Sequence, residues 1–91
     1  MSGWVIGVMV ELSGEAAPVR HFFAVGHEDR AKAEWTAIDA ASQIGGIASS
    51  PVKGVEPVQA LAALTPARMK KKGLLPREVR PLGRAWPRNW L

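Results

Sequence analysis

Two stretches near the start of the chain alternate apolar and polar positions. Trp4, Ile6, Val8 and Val10 recur at period two, and Val5, Gly7, Met9 and Glu11 form a weaker opposite face. Residues 19–25 repeat the pattern, with Val19, His21, Phe23 and Val25 on one side and Arg20, Phe22 and Ala24 on the other. Ser13, Gly14 and Pro18 mark a loop between them. Two β-rich runs joined in this way predict an antiparallel hairpin.

The period then changes. Glu28 and Asp29 suit the first turn of a helix, and the alanine-rich sequence that follows predicts a helix over residues 28–44. One stripe holds Ala31, Trp35, Ile38 and Ser42, and its neighbour holds Ala37, Ala41 and Ile44. Together they make a broad apolar face suited to lying on a sheet. Trp35 is expected in the core against the hairpin, and Gly45 is expected to cap the helix in the left-handed conformation.

Pro51, Gly54 and Pro57 break the next stretch, leaving a short edge strand over residues 52–56. Residues 57–64 read as a helix with Pro57 in its first turn and Val58, Leu61 and Leu64 on its buried side. Thr65 as a cap and Pro66 at the first helical position open another helical turn, which runs to Lys72 and closes at Gly73. That helix is too short to stand alone, so Met69, Leu74 and Leu75 are expected to pack against the rest of the chain.

From residue 76 the composition shifts. Pro76, Pro81 and Pro87 alternate with Arg77, Arg80, Arg84 and Arg88, and Trp86, Trp90 and Leu91 close the chain. This reads as an extended tail whose indoles bury against the same domain or a partner. The expected fold is therefore α+β. A small domain over residues 1–75 holds the hairpin, its packed helix, a short third strand and one or two short C-terminal helices, and residues 76–91 form a Pro/Arg/Trp-rich tail.

Composition narrows the function classes. A chain of 91 residues with 47% hydrophobic and 22% charged residues is one small globular domain rather than a disordered chain. It has no Cys, which excludes a disulfide framework, a thiol nucleophile and a thiolate metal site. The apolar run at residues 4–10 is short, is preceded by no Lys or Arg, and stops at Glu11. Neither a signal peptide nor a membrane span is expected from it, and a cytoplasmic protein with no membrane partner is the default.

Charge adds more. The net charge is +4, but residues 1–45 hold three basic residues against six acids, and residues 46–91 hold nine against two. Such asymmetry marks either a polyanion-binding segment or two halves that neutralise each other. Lys70, Lys71 and Lys72 sit where cations complement the C-terminal end of a helix dipole. Joined with Arg68, Arg77, Arg80, Arg84 and Arg88, they also form a candidate polyanion-binding surface, working by charge and counterion release. Trp86 and Trp90 are candidate interaction anchors, or platforms on which single-stranded bases stack.

Catalytic chemistry finds little support. His21 alternates with core residues, and His27 lies at a helix start without a third ligand at suitable spacing. There is no Gly-x-Ser-x-Gly elbow and no phosphate loop with its lysine. Phe22 and Phe23 are adjacent, so they point to opposite faces and cannot form the paired platform of an RNA-recognition strand. The tail prolines miss the spacing of a PxxP ligand. No catalytic residue, metal or cofactor is expected. The reading is a small non-enzymatic interaction or adaptor protein, partnered by another protein or by a second copy of itself. Its alternative is a nucleic-acid-binding protein with a basic C-terminal surface.

Overall fold

A computed structural model describes residues 1–91. The elements are β1 (Gly3–Glu11), β2 (Val19–Val25), α1 (Arg30–Ser42), β3 (Gly46–Ile47), β4 (Val58–Leu64), α2 (Pro66–Lys72) and β5 (Val79–Gly83). They build a small α+β domain around one antiparallel sheet of five strands. β1 lies at its centre. β2 pairs with one side of β1, and β4 and the short β3 share the other. β5 continues the sheet beyond β2.

The hairpin forms as its alternation predicts, with Trp4 opposite Val25, Ile6 opposite Phe23, Val8 opposite His21 and Val10 opposite Val19. Ile6, Val8, Val10, Phe23 and Val25 make one core with Ala33, Ala37 and Ala41 of α1. The Asp29 side chain caps α1, accepting from the Ala31 and Lys32 N–H groups at 2.8 and 3.2 Å.

Ala37 and Ala41 of the expected face are buried, but the buried stripe continues through Ala33 rather than through Trp35 or Ile44. The three alanines, each four residues apart, are fully buried, so a face of small side chains seats the helix close to the sheet. Trp35 lies two residues from Ala33, about 200° round the helix, and so projects away from the sheet, 67% exposed. Ile44 is exposed as well. The helix ends on Gln43 in the right-handed conformation rather than on a left-handed Gly45. Gly45 serves close approach instead, because a Cβ there would run into the Glu11 carbonyl oxygen.

Three further segments correct the sequence reading. The strand expected over residues 52–56 is a tight turn: Val52 and Val55 exchange backbone hydrogen bonds of 2.9 and 3.0 Å, with Lys53 and Gly54 both at positive φ. The third strand is instead Gly46–Ile47. The helix expected over residues 57–64 is the strand β4. Its alanine-rich sequence favours a helix by only a few tenths of a kcal/mol per residue, and the free edge of β1 outweighs that. A bulge at Leu61, where Ile6 pairs Ala60 and Val5 pairs Ala62, switches the side chains between faces. Val58 and Ala60 therefore pack towards α1, whereas Leu61 and Leu64 pack on the opposite side.

α2 is the helix expected: Thr65 accepts from the Arg68 N–H at 3.1 Å, and Gly73 closes it in the left-handed conformation at φ 67°. Met69 and Leu74 join Val5, Ala24 and Leu64 in a second core on the sheet face opposite α1. Leu75 does not join it and stays 65% exposed, its backbone held by Glu78.

Residues 76–91 contain a strand, after a turn at Pro76 and Arg77, rather than one continuous extended tail. β5 pairs Val79 with Val25, Arg80 with Ala24 and Pro81 with Phe23. The ladder continues past β2, where Gly26 donates to the Glu78 carbonyl and accepts from the Arg77 N–H, both at 2.8 Å. Only glycine fits there, because a Cβ would strike the Leu75 carbonyl. After β5 the chain returns across the α2 side of the sheet. No helix of the protein is long and apolar enough to cross a membrane.

A candidate polyanion-binding face

Several cations of the second half, those of α2 and Arg80 among them, lie on the side of the sheet that α1 leaves free. α2 contributes Arg68, Lys70, Lys71 and Lys72 and has no acid. Arg80 faces the same side, because its partner Ala24 belongs to the second core. Its guanidinium donates to the Lys72 and Gly73 carbonyls at 2.9 and 3.0 Å, tying β5 to the end of α2. It also meets Glu78 at 2.8 Å. The Leu75 N–H, followed by Arg80, holds the Glu78 carboxyl below its ordinary pKa.

Trp90 is built into this cluster. Its ring packs on the second core, with Lys72 Nζ 5.4 Å and the Arg80 guanidinium 5.7 Å from its centroid. Arg68 donates to the Asn89 carbonyl at 3.3 Å and holds the chain end against α2. Arg68, Lys72, Arg80 and Trp90 are thus brought together, and Trp90 is largely an internal support.

A second aromatic group stands on the same sheet face. Trp86 meets Phe22 edge-to-face, with ring centroids 5.7 Å apart, and remains 52% exposed. Arg20 lies 5.2 Å from the Phe22 centroid and 5.9 Å from that of Trp86. The missing side chain of Gly7 leaves it room: a Cβ there would sit 2.8 Å from Arg20 Nε. Gln59 accepts from its Nη2, and burial lowers its pKa from the ordinary value. Sequence reasoning did not single out Arg20. Alternation places it beside Phe22, but nothing local shows that Trp86 returns to cover the pair.

No known protein family, curated protein or solved structure matches the chain.

The remaining candidates divide. Lys70, Lys71 and Arg88 are exposed and form no ion pair. Arg84 turns to Glu15 at 3.6 Å. Arg77 lies elsewhere, in a left-handed conformation at φ 66°, lining a depression with His27, Glu28, Asp29 and Lys32 at the start of α1. His21 Nε2 is buried without a hydrogen-bond partner. Desolvation, with a smaller contribution from Arg84, lowers its pKa. No group of three or more His, Asp or Glu side chains converges as a metal site would require.

Proposed function

We propose that this is a non-enzymatic binding protein whose α2-side face takes up a polyanion, with a single-stranded nucleic acid as the ligand class. Two observations support this reading: Lys70, Lys71 and Arg88 have no ion-pair partner, and Trp86 stays half-exposed beside Arg20 on the side of the sheet that α2 covers. Cations without ion-pair partners gain by releasing counterions from a phosphate backbone. A half-exposed indole contributes roughly 1–3 kcal/mol per stacked base without reading its identity.

A second reading has its own support. An exposed Trp beside Arg is also the composition of a protein-interface anchor, so Trp86 equally suits an adaptor that binds another protein. Titration of a labelled single-stranded oligonucleotide separates the two. The polyanion reading predicts affinity that falls roughly 10- to 100-fold between about 50 and about 200 mM salt. The double variant Lys70→Glu, Lys71→Glu abolishes most of it. No binding at low salt, or binding indifferent to salt and to these substitutions, rejects the polyanion reading.

A further inference from the structure

β4 and β5 form the two long edges of the sheet, and they differ in kind. β5 is blocked: Pro81 has no N–H to offer, Gly83 leaves the strand at φ 85°, and Arg80 and Arg84 stand within or beside it. β4 contains seven residues with no charge and no proline. Its backbone bonds to β1 and to no other segment, although Trp90 and Leu91 at the chain end border Ala62–Leu64. The bulge at Leu61 is one irregularity along this edge, with extended backbone on both sides of it.

We propose that two copies of this chain pair antiparallel along β4 to form one continuous sheet. Charge selects this edge and this occupant. With a net charge of +4 two copies repel on approach, and β4 itself brings no charge into the contact. Glu56 precedes β4 and Arg68 follows it. Antiparallel self-pairing lays the Glu56 end of each copy beside the Arg68 end of the other, so the two flanks are complementary. The two-fold axis stands perpendicular to the sheet, which keeps both α1 helices on one side and both α2 faces on the other. The dimer stands without the polyanion reading. Its consequence, a cationic face of doubled length able to hold a longer strand, rests on that reading.

Sedimentation of the full chain, without oligonucleotide and over a range of concentrations, tests the pairing independently of ligand binding. The expected result is a reversible dimer. Ala63→Lys, at an exposed β4 position, should give a monomer with an unchanged circular dichroism spectrum. Glu56→Lys, outside the strand, should weaken the dimer by about 2- to 5-fold, and adding Arg68→Glu should restore it. A monomer at every concentration overturns the proposal. So does a dimer that both Ala63→Lys and Glu56→Lys leave intact. A dimer that Trp35→Glu alone dissolves would place the interface on α1 and overturn it equally.

Discussion

His21 shows how one side chain sets a pH response. It lies opposite Val8 in the hairpin, and its Nε2 is buried without a partner. Burial and, secondarily, Arg84 lower its pKa from 6.5. The unfolded chain then takes up this proton at a higher pH than the folded one, so stability is full above about pH 6.5 and declines as the pH falls towards the folded value. Urea unfolding at a series of pH values should show that decline, and His21→Leu should flatten it. An unchanged pH profile in the variant would show that the imidazole is not its source. The alternation of residues 19–25 places His21 on the α1 side, as the structure has it. The smaller Coulombic effect comes from Arg84, which arrives from far along the chain, and no local pattern encodes that.

Between elements, the strongest polar link runs from β5 to α2. Arg80 reaches the last carbonyls of α2, binds Glu78 and lies over Trp90. Arg80→Met keeps an apolar stem on the indole but removes the donors. It should cost about 2 kcal/mol in denaturant unfolding, the range for hydrogen bonds to a charged group. A loss well under 0.5 kcal/mol would mean that water replaces the guanidinium there. Elements with local signals were legible in the sequence: the hairpin by its alternation, and α2 by Thr65, Pro66 and Gly73. β4 was not, because its alanines favour a helix and only the distant edge of β1 makes it a strand. The face of α1 was legible in part, through Ala37 and Ala41, but Trp35 was wrongly placed on it. Trp35 is the larger apolar residue, but Ala33, Ala37 and Ala41 permit the closer approach to the sheet.

Across the whole molecule, a charge gradient along the sequence becomes a difference between two sides of a sheet. The acids Glu28, Asp29, Glu34 and Asp39 lie in or just before α1, where they outnumber Arg30 and Lys32, and the cations of α2 lie opposite. The gradient itself was visible in the two halves of the sequence. Its conversion into opposed faces was not, since it depends on β4 and β5 joining the sheet and carrying α2 and the chain end to the far side. The four tryptophans report on both sides. Trp4 donates its indole N–H to the Glu28 carbonyl at 2.9 Å near the start of α1, and Trp35 projects from α1. Trp86 and Trp90 mark the cationic face. The most direct measurement is the set of four indole N–H resonances during titration with a single-stranded oligonucleotide. The Trp86 and Trp90 signals should shift in a salt-dependent way while those of Trp4 and Trp35 hold still. Shifts centred on Trp35, or four signals unmoved at low salt, would contradict it.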